Sequence, residues 1–380
     1  MEHSERERLL RQLVQWKPET GVLSIYVHVD PGDRSKGWRI ELRERLRALA
    51  EETSPHGERR AFEAAAAEVF DRFPENGAPP EGRGHVGFIE IAAKRPAAVW
   101  RSMQMGPRRI EAVRHRRPYV RPLIELFAEG PHVGVVLVSG DRVRLLDWSL
   151  GAIRELEDWE LTLFSLDWRE RKAERSMPGP RSWTSASGRD QYGQRMDANR
   201  QRFLREVGSM VAEEHAKRAW RHLVAFGVED LPREFAEGLG SAASRLHVVR
   251  HDLVGAKEAQ IAERTEAEVR ELNASTALEL VHEVEEAIGT EPGTALGPQE
   301  TLEALAEGRA RHLIFDGNRD YDGGPLEADL AYDDGGEDGL PVGERLVELA
   351  VKTDAEITPV YEEPAAKLER HDGVAALLRY

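Results

Sequence analysis

Apolar positions along the chain alternate between short β-branched runs and longer stretches where they recur every three or four residues. Val22, Leu23, Ile25, Val27 and Val29 form the first run, closed by Asp30-Pro31, and predict a buried strand. A helix precedes it, running to about Trp16 and stopping before Pro18. The segments "WRIELRERLRALAEE" and "ERRAFEAAAAEVFDRF" have helical spacing and high intrinsic propensity, and "GHVGFIEIA" with "AAVWRSMQM" reads as a strand pair. This first α/β module ends near "RRPYVRPLIELFAEG".

The pattern restarts at Val133–Val138 with a strand, a tight turn at Ser139-Gly140-Asp141, a hairpin through Val143, Leu145 and Trp148, and a third strand from Ala152. Residues 165–190 are too rich in Pro, Gly and Ser for a regular element and predict an exposed loop. A long basic helix follows. Its positions Leu204, Val207 and Val211 face inward, and Arg195, Asn199 and Arg202, at i, i+4 and i+7, share the opposite face. The strand "RHLVAFG", the helix "LPREFAEGL" and the strand "RLHVVRHD" complete this module. An acidic helix or helix pair then leads to a third, which reads as a helix, a strand at 311–315, a helix, a strand, and the closing "DGVAALLRY". The fold class is α/β (α+β) and multidomain, with three mixed-sheet modules flanked by helices at 1–131, 132–258 and 259–380.

Charge separates these modules. The formal net charge is −16, yet residues 259–380 hold 29 Asp+Glu against 10 Lys+Arg, leaving the first 258 slightly basic. The densest acidic stretch, 316–338, has nine acidic residues and one Arg, and is expected to be mobile and to face a partner. There is no cysteine, so neither disulfides nor thiolate metal sites arise. No signal peptide or membrane-length apolar run is visible, which predicts a soluble, cytoplasmic protein with no membrane contact.

Two stretches carry candidate chemistry. "SGRDQYGQR" at 187–195 sets a single Gln, Gln191, beside Arg189 and Asp190 in a polar, Gly-punctuated loop ahead of the basic helix, whose leading cations are Arg195, Arg200, Arg202 and Arg205. "PRRIEAVRHRRPYVR" at 107–121 holds six Arg, including Arg114, Arg116 and Arg117, against one Glu, with His115 and Tyr119 interleaved, and reads as a nucleic-acid surface. Other chemistries find no support. The histidines are scattered without HExxH, "ALGPQE" and "GLGSAAS" lack the spacing of phosphate loops, and "VSGD" is no nucleophile elbow. No cofactor and no metal are expected.

The chain resembles the eukaryotic and archaeal class-I peptide release factors and Pelota. The resemblance is carried by "ALGPQETLEALAEGRARHLIF", "LVELAVKTDAEITPVYEE" and "DGVAALLRY" in the third module, by "GVLSIYVHVDP", and by the passage "RRPYVRPLIELFAEGPHVGVVLVSGDRVRLLDWSLGAIREL". It implies that "RDQYGQR" stands where that family has a Gly-Gly-Gln loop, with Gln191 and Arg195 keeping the family's Gln-x-x-x-Arg spacing and Arg189 and Asp190 replacing both glycines. It further implies action on ribosome-bound peptidyl-tRNA, with Gln191 positioning water for ester hydrolysis and Arg195, Arg200, Arg202, Arg205, Arg114, Arg116 and Arg117 holding tRNA or the ribosome. The family's C-terminal domain engages a translational GTPase or a recycling ATPase. Nothing in "DRSKGWRIELRERLRALAEETSPHGERR" matches the Asn-Ile-Lys-Ser-type loop that reads stop codons, so rescue of stalled ribosomes is the expected role, as in the bacterial relatives and the ribosome-quality-control hydrolases. A non-catalytic ribosome- or tRNA-binding factor and cleavage at the tRNA 3′ end are the alternatives.

Overall fold

A computed structural model describes residues 3–30, 32, 36–52, 56–74, 80–92, 96–161, 186–227, 233–291, 293–321 and 341–380, with the side chains of 3, 56, 57 and 186–195 outside the description. The fold is mixed α/β, with three sheets among the described residues. They belong to two compact units, Pro131–Glu268 and Ser4–Gly130 with Val269–Tyr380.

The second unit begins with α1 (His3–Gln15), β1 (Val22–His28), α2 (Gly37–Glu52), α3 (His56–Arg72), β2 (Gly84–Glu90), β3 (Ala98–Met103), β4 (Glu111–His115) and α4 (Arg121–Glu129). The antiparallel sheet is ordered β3-β2-β1-β4, and Leu23, Ile25 and Val27 meet Leu42 and Leu46 of α2, Phe62 and Val69 of α3, and Phe73 just beyond it. Gly87 lies opposite Trp100, and a Cβ there would stand 2.4 Å from the indole, so the glycine admits the ring. The strand β4 departs from the expected surface patch. Its Ile110 flank and Ala112 pack on the core, and its backbone completes the edge beside β1.

The other unit comprises β5 (Val133–Val138), β6 (Arg142–Ser149), β7 (Ala152–Glu160), α5 (Ala186–Arg218), β8 (His222–Gly227), α6 (Arg233–Leu239), a 3-10 turn at Gly240–Arg245 and β9 (Leu246–Arg250). Its sheet runs β7-β6-β5-β8-β9, with β5–β7 an antiparallel meander and β8 and β9 parallel to β5. The helices α5 and α6 make the crossovers that parallel pairing requires. Helix α7 (Glu258–Glu286) begins in this unit and continues into the other.

The C-terminal sheet is built from β10 (Thr294–Leu296), α8 (Gly297–Ala306), β11 (Ala310–Asp316), α9 (Val342–Lys352), β12 (Glu356–Val360), α10 (Glu362–Leu368) and β13 (Val374–Leu378). It is ordered β10-β13-β11-β12, with β11 and β12 parallel, and Ala277, Val281 and Val284 of α7 pack on Ile314, Val360, Ala375 and Leu377. The acidic stretch expected to be mobile lies, from residue 322 to 338, outside the described residues.

Candidate nucleic-acid interface

Helix α5 dominates the Pro131–Glu268 unit. It spans 33 residues, about 50 Å at 1.5 Å per residue. Phe203, Leu204, Val207 and Val211 are buried against Val136, Leu145, Leu223 and Phe235, as the 3–4 spacing predicts. The crossing with α6 is close: a Cβ on Gly208 would stand 2.5 Å from the Phe235 carbonyl oxygen, and one on Gly238 2.2 Å from that of Arg205. Tight packing of one face leaves the other to solvent, and that face carries Asn199, Arg202 and Arg205, whereas Arg200, four residues before buried Leu204, is exposed at the end of the packed stripe.

The three arginines differ in what they touch. Arg205 reaches Glu237 at 3.2 Å, and a hydrogen bond from Arg233, joined by Arg205, holds that carboxylate below its usual range. Arg200 lies over the β5–β6 turn, where a Cβ on Gly140 would stand 2.0 Å from its Nη2, so the glycine makes room for the guanidinium. Arg202 and Arg200 have no ion pair among the described residues. Among the described side chains of the helix, these two are arginines left available to a phosphate.

The stretch expected as a loop around Gln191 is helical from Ala186 onward, so Arg189, Asp190, Gln191 and Arg195 lie on the first three turns of α5. Residues 162–185 of the expected loop, and the side chains of 186–195, fall outside the described residues. The sequence tolerates this helix because no proline occurs between Pro180 and Pro232. Gly188 and Gly193 weaken such a helix by about 1 kcal/mol each without breaking it.

The arginines of 107–121 are deployed differently from the expected surface. Arg114 pairs with Glu58 at 2.9 Å. Arg108 pairs with Glu129 and stacks 3.6 Å from the Tyr361 ring centroid. Arg117 is 6% exposed and bonds Glu348 at 2.7 Å, so its charge is met inside the protein and does not face a nucleic acid. Arg121 is likewise buried, holding Glu125 at 3.0 Å and donating to the carbonyls of Gly317 and Arg319. Among the expected contacts here, Arg116 is the exposed one. The cause is on α9, where Glu344 and Glu348 stand four apart among Val342, Leu346, Val347 and Ala350. Two carboxylates on an otherwise apolar stripe need buried partners, and that was the legible signal for this inward turn.

Glu344 accepts the backbone N–H groups of Val120 at 2.6 Å and Arg121 at 3.0 Å, satisfying donors at the start of α4. Burial pushes its carboxyl up to about 8 against these hydrogen bonds, and burial likewise raises Glu125 to about 7 against Arg121. A second buried network, absent from the sequence reading, links His132, Asp147 and Trp220: Asp147 Oδ1 lies 2.5 Å from His132 Nε2 and accepts from Trp220 Nε1 at 2.7 Å. Burial raises the Asp147 pKa, and these hydrogen bonds more than reverse it. Among the described residues no group of three His, Asp or Glu is placed to hold a metal ion, and no helix is long and apolar enough to cross a membrane.

Residues 131–266 match the model of bacterial archaeo-eukaryotic release factor family 5, a span nearly coextensive with the Pro131–Glu268 unit. Similar solved structures include an archaeal translation termination factor, at 19% identity and TM-score 0.27, covering 100% of this chain and 99% of that one. Pelota from Archaeoglobus fulgidus is 15% identical with TM-score 0.33, covering 78% and 79%. Ribosome-bound archaeal Pelota, in a model with ABCE1, is 12% identical with TM-score 0.42, covering 98% and 94%. No curated protein matches the sequence. The likeness to bacterial archaeo-eukaryotic release factor family 5 lies in the unit that carries α5.

Proposed function

We propose that the chain is a cytoplasmic ribosome-rescue factor that presents the N-terminal half of α5 to ribosome-bound peptidyl-tRNA and hydrolyses its ester. The observation that carries this reading is the family match across residues 131–266, which includes Gln191 and the cation-bearing face of α5. Arg200 and Arg202, without internal ion pairs, would track the tRNA backbone, and Arg195 lies seven residues before Arg202 on the same face.

In the reaction, water adds to the ester carbonyl and the 3′ oxygen of the ribose leaves with a proton. The Gln191 amide carbonyl accepts a hydrogen bond from that water and orients it, which requires neither a strong base nor a metal. The acidic C-terminal segment suits a protein partner, and a translational GTPase or a recycling ATPase is the class proposed.

A second reading has its own observation. Helical backbone at 186–195 commits the N–H groups beyond its first turn to intrahelical bonds, leaving them unavailable to an oxyanion. On that reading the chain occupies the ribosome without hydrolysis. Ribosomes carrying labelled peptidyl-tRNA and an empty A site separate the two. Freed peptide with intact tRNA ends supports hydrolysis; binding without release supports the non-catalytic factor; shortened tRNA points to cleavage at the 3′ end; no binding overturns both proposed roles.

A further inference from the structure

We infer that Gly140, in the turn between β5 and β6, is a positioning residue for the proposed tRNA contact: it seats the Arg200 guanidinium at the place where α5 leaves its sheet. The inference rests on the reading that the cations of α5 track tRNA. Arg200 lies about 14 Å from Gln191 along α5 at 1.5 Å per residue, within reach of the strand whose 3′ end Gln191 would address.

The contact is direct. A Cβ built on Gly140 would stand 2.0 Å from Arg200 Nη2, 2.4 Å from its Cζ and 2.8 Å from its Nε, so the guanidinium occupies the space that a side chain at 140 would take. Phe203 and Leu204, one turn further along α5, are buried in the core that holds Val136, Val138 and Val143 of the two strands. From Asp197 to Arg202 every side chain of α5 is exposed, so the helix clears the sheet at this turn. Arg200 has no ion pair among the described residues.

The turn beneath the guanidinium is fixed from both sides. The Ser139 N–H donates to the Arg142 carbonyl at 2.8 Å, and the Ser139 hydroxyl accepts the Arg142 N–H at 3.0 Å. Leu161, just past β7, donates its N–H to the Asp141 carbonyl at 2.7 Å. Arg142 grips Asp158 through two hydrogen bonds of 2.8 and 2.7 Å. The Asp141 carboxylate, next to Gly140, takes the Ser139 hydroxyl at 3.0 Å. A methyl group at 140 therefore displaces the flexible arginine head and leaves the backbone in place.

Backbone conformation does not call for glycine here. Short hairpin turns need glycine where φ is positive, and neither Gly140 nor Asp141 has a positive φ. Gly151, at φ 78° in the turn between β6 and β7, is a glycine of that other kind. What Gly140 supplies is room for a cation. An arginine held against rigid backbone loses less freedom when it meets a phosphate, and its planar fork offers paired donors to the phosphate oxygens.

The test is binding of fluorescent deacylated tRNA to the full chain, followed by anisotropy across a salt series. Arg200→Ala should weaken binding roughly tenfold at low salt, and Gly140→Ala roughly threefold to tenfold. In the Arg200→Ala background the glycine change should add nothing, because the group it displaces is gone. In the Arg200→Lys background, which keeps the charge without the broad guanidinium, it should cost less than in the wild type. Gly255→Ala, where a Cβ meets nothing within 4 Å, should bind as the wild type does. Wild-type affinity of Arg200→Ala or Gly140→Ala, or an equal loss from the alanine with and without Arg200, overturns the inference; a folding defect would give that last pattern. If ribosome-bound peptidyl-tRNA is not hydrolysed while the coupled effect of Gly140 and Arg200 persists, the proposed hydrolysis fails and this contact stands. If peptide is released and Gly140→Ala binds tRNA as the wild type does, the converse holds. A wild type that binds no tRNA overturns both.

Discussion

Arg117 and Glu348 are separated by 231 positions in sequence and meet at 2.7 Å inside one compact unit, both side chains more than nine-tenths buried. Lys352 also reaches this carboxylate at 2.7 Å, so Glu348 joins the segment after β4 to the body of α9. Removing one partner of a buried pair typically costs about 3–5 kcal/mol, and because Lys352 still holds Glu348 the loss of Arg117 should fall at the lower end of that range. Arg117→Ala should therefore lower the denaturation midpoint strongly while leaving the salt slope of RNA binding unchanged. A variant of wild-type stability with a reduced slope would return Arg117 to the nucleic-acid surface.

The pH response of this unit should follow Glu344. Its folded pKa, about 8, lies above the usual carboxylate value because of burial, so the folded state holds a proton that the unfolded state has released. The stability it contributes is present below about pH 4.5 and is lost as pH rises toward 8. Glu125, raised to about 7, acts in the same direction. Chemical denaturation at several pH values should show the wild type losing more stability between pH 5 and pH 8 than Glu344→Gln, by a margin on the order of 1–3 kcal/mol. Parallel curves for the two proteins would contradict the assignment.

Along α5, the consequences of losing each arginine should differ although the residues are chemically identical. Arg200→Ala and Arg202→Ala should each lower the salt slope of tRNA or ribosome binding by about 1. Arg205 already meets Glu237, so Arg205→Ala should have the smaller effect. Equal losses at all three positions would show that the Glu237 pair is exchanged for phosphate on binding.

Gln191→Ala should reduce peptide release by roughly 10²–10³ with ribosome binding retained, because one oriented neutral amide contributes more to the reaction than to docking. The helical start of α5 sharpens the companion test. Replacing Arg189 and Asp190 by Gly weakens the helix there by about 1 kcal/mol or less per residue and frees backbone for an oxyanion. Release should rise if helical backbone limits hydrolysis and fall if Arg189 holds the tRNA end. No release from any of the three proteins, with binding intact, leaves the non-catalytic factor.

Local pattern alone determined much of this molecule. The apolar run at β1, the meander of β5 to β7, the buried stripe Leu204, Val207 and Val211, and, after residue 294, helices α8 and α9 with strands β11 to β13 all announce themselves, because periodicities of 2 and 3.6 are properties of neighbouring residues. The resemblance to release factors was legible for the same reason, as an order of such local patterns, and the family match falls on the unit where α5 was expected. Tertiary structure decided where the charges go. Arg114 and Arg117 look alike in "RHRRPYVR", yet one reaches partly exposed Glu58 and the other is enclosed with Glu348, because burial depends on an α9 more than two hundred residues away. The strand β4 was hidden beneath its arginines since its hydrogen bonds to β1 are backbone bonds, indifferent to side-chain charge.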